Sequence, residues 1–283
     1  MSRGAPLGVL ASCAAVHEGP LIPRFGRARR DPSLAVLEGF HPVKHALRFG
    51  AHIELLLTCE QEELARLAAA LAPDLRARML ELAEPVTRET FDQLSPLAPN
   101  TPVIALARRP HRDASEVLAR DLAAPIVLLE DPRDLGNMGA CVRVAAAADA
   151  AGVLSTGTHD PWHPDALRGA AGLHFALPVA RLANLDLLAR SDLARSSDLL
   201  ARSARPLIAV DPDGDPLDPA RLDPRAVLAF GSERHGLSDE LRSRAHASIS
   251  IPMREGVSSL NLATSVSAVL FAWRICGRPP SSR

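Results

Sequence analysis

The sequence predicts an α/β protein built on a mostly parallel sheet, and three observations carry that reading. Short apolar runs alternate with segments of helical spacing, the pattern of strands covered by helices on both faces. Hydrophobic residues make up 47% of the 283 positions, enough to bury a sizeable core. Three of the later apolar runs end in polar or glycine-bearing loops, and open α/β sheets bind ligands at the carboxyl ends of their strands.

Residues 1–32 are rich in arginine (Arg24, Arg27, Arg29, Arg30) and read as a flexible basic extension, with ordered chain beginning near Pro32. From there to residue 110 the pattern is that of a small α/β domain. Strands are expected at 33–37, 53–57 and 103–107, and helices at 42–49, 60–71, 75–82 and 89–94. Residues 111–120 read as a linker or connecting helix. A second α/β domain spans 121–278. Its strands are expected at 126–129, 153–155, 207–210, 226–230 and 249–251, and its helices at 140–151, 165–171 and 259–276. Residues 186–206 hold a near-repeat of Asp186-Leu187-Leu188-Ala189-Arg190-Ser191, too short for a solenoid.

Charge and composition narrow the chemistry. The formal net charge is −1, so any basic surface must be local. Lys44 is the one lysine and there is no tyrosine, a bias that fits GC-rich coding. Lysine-based Schiff-base chemistry therefore has almost no candidate, and tyrosine acid chemistry has none. Cys13, Cys59, Cys141 and Cys276 are far apart, which argues against a zinc ribbon or a disulfide scaffold and favours a reducing, cytoplasmic setting. No apolar run approaches the ~18–20 residues of a membrane span. His41 and His45 have i, i+4 spacing but no acidic or cysteine partner, so no metal is expected.

Three segments stand out. Asp131 to Arg143 joins a strand to a helix through Gly136 and Gly139, where the backbone is able to turn tightly and approach an anion; an ordinary strand–loop–helix turn explains it equally well. It lacks the Gly-x-Gly-x-x-Gly of a dinucleotide site. Gly231-Ser232-Glu233-Arg234-His235-Gly236 follows an apolar strand and places an acid between two glycines; a solvated loop acid is the bland alternative. Ser238, Asp239 and Glu240 then read as a helix N-cap and its first-turn acids. Ile251-Pro252-Met253 leads through Gly256 to Ser259-Leu260-Asn261, where Ser259 reads as a ligand contact or simply an N-cap.

Taken together, Asn137-x-Gly139-x-x-x-Arg143, Gly231-Ser232-Glu233-x-x-Gly236 and Ile251-Pro252-Met253…Ser259-Leu260-Asn261 resemble the three motifs of the SpoU (TrmH-like) RNA 2′-O-methyltransferases, in that family's order. The segment from Asp160-Pro161 through Arg168-Gly169 to Pro178-Val179 is similar as well, and the likeness covers about 121–276. The region 33–110, through Glu38-Gly39-Phe40-His41, resembles the small RNA-binding domain, similar to certain ribosomal proteins, that often precedes the catalytic domain.

The resemblance implies a C-terminal trefoil-knotted SPOUT methyltransferase domain, S-adenosyl-L-methionine (SAM) as cofactor, and active sites at the interface of a two-fold homodimer. Gly231, Ile251 and Leu260 match cofactor-binding positions. Asn137, Arg143, Glu233, Ser259 and Asn261 match the family's functional positions. Arginine is effectively always protonated, so the role implied for Arg143 is to stabilise a developing oxyanion or an adjacent phosphate rather than to act as base. The implied partner is structured RNA, with rRNA favoured and tRNA next. A non-catalytic RNA-binding or assembly factor on the same scaffold is the alternative. For the basic extension, an RNA-contacting arm is the sharper alternative to flexible chain, and a transit sequence the less favoured one.

Overall fold

The computed structural model describes residues 20–183, 185–188 and 205–277. It opens on a helix where the sequence predicts flexible chain. In α1 (Leu21–Ala28) the apolar residues Leu21, Phe25 and Ala28 recur at i, i+4 and i+7 and are buried, while Arg24 and Arg27 face solvent. The expectation of a flexible extension up to residue 32 is thus corrected for 20–32. Of the arginines that suggested it, Arg24, Arg27 and Arg30 are exposed, while Arg29 turns inward to pair with Glu38. Residues 1–19 lie outside the described residues.

The small domain continues with β1 (Leu34–Glu38), α2 (Phe40–Arg48), β2 (Ile53–Thr58), α3 (Gln61–Leu71), α4 (Arg76–Leu82), β3 (Ala83–Pro85), α5 (Arg88–Gln93) and β4 (Val103–Arg108). Its sheet runs β1-β4-β2-β3, with β4 antiparallel to both β1 and β2 and β3 parallel to β2. The three-residue β3 is unanticipated. It contains Pro85 and sits at the edge, where a missing N–H costs nothing.

The connection is docked against the second domain. Its helix α6 (Ala114–Leu118) is capped by Asp113, which accepts the Ser115 N–H at 2.9 Å, and Val117 is buried. Arg205 reaches across to the carbonyls of Arg120, Leu122 and Ala124 at 2.8–2.9 Å.

The second domain contains β5 (Ile126–Leu129), α7 (Leu135–Ala147), β6 (Gly152–Ser155), α8 (Pro164–Gly169), β7 (Val179–Arg181), β8 (Leu207–Pro216), β9 (Val227–Phe230), α9 (Asp239–Arg244), β10 (Ala247–Ser250) and α10 (Leu262–Gly277). All six strands are parallel, in the order β10-β8-β9-β5-β6-β7. Strands β5, β6 and β9 are buried at every position, which explains their unbroken apolar runs. The chain moves outward from β5 through β6 to β7, then crosses to β8 and fills in β9 beside β5. The direction of winding therefore reverses at β5/β9, the place where such sheets open a crevice.

Two helix starts differ from expectation. Helix α7 begins at Leu135 rather than near residue 140, because Asp134 caps it by accepting the Asn137 N–H at 2.6 Å. Gly139 therefore lies inside a helix. A side chain there would overlap the α8 backbone at Ala166 and Ala170, so this glycine serves helix packing rather than a ligand. Helix α10 begins at Leu262, and its cap is Asn261 rather than Ser259. Most of the 186–206 near-repeat falls outside the described residues.

The two domains share one apolar core. Beside it, the Glu38 carboxylate, 2% exposed, receives Arg29 from the end of α1, Arg168 from α8 and the Ser95 hydroxyl. A carboxylate buried with such partners avoids the several kcal/mol that an unpaired one costs. His45 on α2 lies 2.7 Å from the Ala171 carbonyl, and Gly172 (φ +76) leaves room for Pro42.

Candidate active site

Strand β8 and the loops after β9 and β10 wall a cavity of about 390 Å³ at the carboxyl ends of the strands. The loop after β9 is the tightest. Ser232 and Gly236 exchange two backbone hydrogen bonds at 3.1 and 3.0 Å, so Glu233, Arg234 and His235 form a short exposed tip. At its base Gly231 packs against the Gly236–Leu237 peptide so closely that a β-carbon has no room. Glu130, just after β5, accepts both the Ser238 N–H at 2.7 Å and its hydroxyl at 2.6 Å. Ser238 in turn caps α9, as the sequence predicts.

Three of the predicted polar residues meet in one hydrogen-bonded chain. Asn261 Oδ1 accepts the Ala263 N–H at 2.9 Å at the start of α10. That fixes its amide orientation, and its Nδ2 donates to Asn137 Oδ1 at 3.0 Å. Asn137 Nδ2 then donates to Glu233 Oε1 at 3.1 Å. Each amide is polarised by the one before it, and the chain ends on a group able only to accept, the Glu233 carboxylate. A backbone cap on α10 is thereby tied to the orientation of an acid on the loop after β9.

Gly231, Glu233, Ile251, Ser259 and Leu260 all line the cavity, and Asn137 and Asn261 adjoin it through Glu233. Arg143 does not. It is exposed on α7, within electrostatic reach of His41 and Lys44. Burial is the larger cause lowering the pKa of each of those two groups, and neighbouring positive charge, Arg143 included, adds to it. His235 stands on the loop but is not among the lining residues. Trp273 is buried on α10.

The structure adds Asp211, which sequence reasoning missed. It lines the cavity from β8, is 7% exposed, and pairs with Arg242 of α9 at 2.8 Å while accepting the Asp213 N–H at 3.1 Å. The expected strand stopped at residue 210 because Asp211-Pro212-Asp213 reads as a turn. A strand continuing through that run would have put the acid at the crevice. Glu130 was likewise passed over; its signal was its place directly after the central apolar strand. Among the described residues no cluster of three or more His, Cys, Asp or Glu is placed to hold a metal ion.

A parallel α/β domain with polar residues gathered over one cavity at the carboxyl ends of β8, β9 and β10 defines an enzyme-like binding domain. The comparisons with known proteins make that specific. Residues 124–271 match the model of the SpoU rRNA Methylase family, and the chain belongs to that family. The chain is 29% identical over 246 residues to the 23S rRNA (uridine(2479)-2′-O)-methyltransferase of Streptomyces viridochromogenes, covering 85% of this chain and 83% of that protein. It is 30% identical over 294 residues to the mitochondrial rRNA methyltransferase 3A of Danio rerio, covering 88% of this chain and 65% of the relative. Among solved structures, the SpoU methyltransferase AviRb of S. viridochromogenes, in complex with AdoMet, superposes with a TM-score of 0.69 at 25% identity, over 90% of this chain and 99% of that one. The AdoMet-bound rRNA methyltransferase of Sinorhizobium meliloti gives a TM-score of 0.69 at 25% identity over 94% and 98%.

Proposed function

We propose that this protein transfers the methyl group of S-adenosyl-L-methionine to a ribose 2′-hydroxyl of structured RNA, with ribosomal RNA the favoured substrate and transfer RNA next. The observation that carries the reading is the join of Asn137, Glu233 and Asn261 beside the cavity. These residues come from three distant segments, and each matches a functional position of the family.

The cavity fits the cofactor. Its volume of about 390 Å³ falls in the range of small-molecule pockets, roughly 300–1,000 Å³. Ile251, Leu260 and Leu262 offer apolar surface for a purine, and the peptide groups around Gly231 offer polar partners. When bound there, SAM supplies a methyl group on a sulfonium, a good leaving group. The protein's own part is positioning and electrostatics. The Asn261–Asn137–Glu233 chain holds the loop after β9 in one orientation, and Ser259 and Asn261 border the place where a ribose enters. Arg143 stabilises charge developing on the 2′-oxygen or on a neighbouring phosphate.

Arg143 stands outside its own chain's cavity, so that role calls for a second protomer. The reading therefore includes a two-fold homodimer in which Arg143 of one chain serves the cavity of the other. It also includes a trefoil knot in the C-terminal part, the small domain as an RNA-binding module, and a cytoplasmic setting favoured by the separated cysteines. No helix among the described residues is long and apolar enough to cross a membrane.

The test is transfer of labelled methyl from SAM to unmodified ribosomal or transfer RNA. Incorporation that resists base hydrolysis at one nucleotide is the expected result. SAM binding without transfer to any RNA would favour a non-catalytic scaffold instead.

A further inference from the structure

A second, larger cavity lies away from the methyl-transfer site. This cleft, of about 890 Å³, runs between the small domain, the connecting segment and the second domain. Its walls include Ala124, Ala150 and Pro178, the residues just before β5, β6 and β7 or within two of them. It therefore opens at the amino ends of the strands, the edge opposite Gly231 and Ile251.

The lining is basic. Arg108, Arg109, Arg112 and Arg120 contribute guanidinium groups, against the carboxylates of Glu116 and Asp149. Asp149 lies 3.6 Å from Arg274, which offsets it from outside the cleft. Arg109 is held by Asp160 at 2.7 Å and stacks 5.3 Å over the Trp162 ring, so it is a fixed part of the wall. Arg108 leans on Glu54 at 2.5 Å yet keeps 63% of its side chain exposed, and Arg112 is exposed.

At the same cleft stands Phe49, 46% exposed. The other six phenylalanines are buried or half-buried, so this ring is the one left open to solvent. An aromatic face beside guanidinium forks has the chemistry that recognises unpaired nucleotides. The base stacks on the ring, and the phosphodiester takes the forked donors. A continuous duplex hides its base faces and does not use such a ring.

We propose that this cleft is a second RNA site, which takes an unpaired nucleotide stretch of the substrate with a base on Phe49 and phosphates on Arg108 and Arg112. It anchors the RNA away from the nucleotide being methylated. The inference rests on the RNA-methylating function proposed above.

The experiment measures binding of a fluorescent unpaired oligoribonucleotide of about 12 nucleotides to the full chain. It compares wild type, Phe49→Ala and Arg112→Ala across roughly 50–200 mM salt. The Phe49→Ala protein is expected to bind about tenfold more weakly with the salt slope unchanged. The Arg112→Ala protein is expected to show a salt slope smaller by about 0.7, the share of one phosphate contact on a single strand. Both should bind SAM like wild type, since that cavity lies at the other edge of the sheet. Variants that bind the oligonucleotide like wild type overturn the proposal, as does a wild type that does not bind it. Methyl transfer by the wild type, measured alongside, separates the two claims: an active enzyme with unaffected variants removes the cleft site and leaves the function standing.

Discussion

Asn261 donates its side-chain amide to Asn137 at 3.0 Å across 124 residues of sequence. The bond joins the start of the last helix to the first turn of α7, and through Asn137 it reaches Glu233 at 3.1 Å. If this chain orients the catalytic loop, Asn137→Ala should lower kcat by at least about tenfold, the range expected when an interaction made mainly in the transition state is lost. SAM affinity should stay within a factor of about two. Single-turnover methylation with parallel calorimetry checks this, and a variant that methylates at full rate contradicts it.

Gly231 has no space for a β-carbon because the Gly236–Leu237 peptide occupies it. Gly231→Ala must push the loop after β9 away from β9 and open the cavity wall. The expected result is SAM affinity weakened by more than about tenfold with a modest loss of stability, about 1–3 kcal/mol. Titration calorimetry and thermal unfolding read the two separately. Normal SAM binding by this variant would show that the loop does not form the cofactor wall.

His174 is fully buried, with Nε2 2.8 Å from the Pro161 carbonyl and its ring 5.1 Å from Trp162. Burial pushes its pKa down to about 4 from 6.5, outweighing the opposing pull of that carbonyl. In the window between those values the unfolded chain binds a proton that the folded chain refuses. Stability is therefore fully present above about pH 6.5 and falls as pH drops towards 4, by about 3 kcal/mol from this group. His41 and His45, also lowered chiefly by burial, act in the same direction. Thermal unfolding across that range should show the decline in wild type and a flatter profile in His174→Gln. Equal slopes in the two proteins would rule out His174 as the cause.

Much of this was legible in the sequence because burial on both faces leaves a simple trace. β5, β6 and β9 are read directly from apolar runs, and their carboxyl-end loops carry the motif residues. What escaped detection depends on tertiary partners. α1 was hidden because exposed Arg24 and Arg27 lend it a basic character, while its buried face is only Leu21, Phe25 and Ala28. Gly139 looked like a ligand-facing glycine because sequence does not show α8 crossing over it. Asp211 was missed because β8 runs on through a Pro-containing segment that reads as a turn. Arg143 shares a motif with Asn137, yet an offset of six positions carries it to a different side of α7, and no one-chain pattern reveals that.

That separation leads to a prediction about assembly. If Arg143 serves the cavity of a partner chain, Arg143→Ala and Glu233→Ala proteins should each be inactive alone as homodimers. Co-expressed, they should form mixed dimers with one site carrying both substitutions and one site intact, restoring about a quarter of wild-type activity. No recovery from verified mixed dimers would place Arg143 in service of its own chain.

The most direct test of the central claim is a ribose-methylation map of total RNA from cells with and without this gene. The account predicts one nucleotide whose resistance to base hydrolysis disappears with the gene and returns with the wild-type chain but not with Asn137→Ala. Identical maps in the two cell lines, from a protein shown to bind SAM, would contradict it.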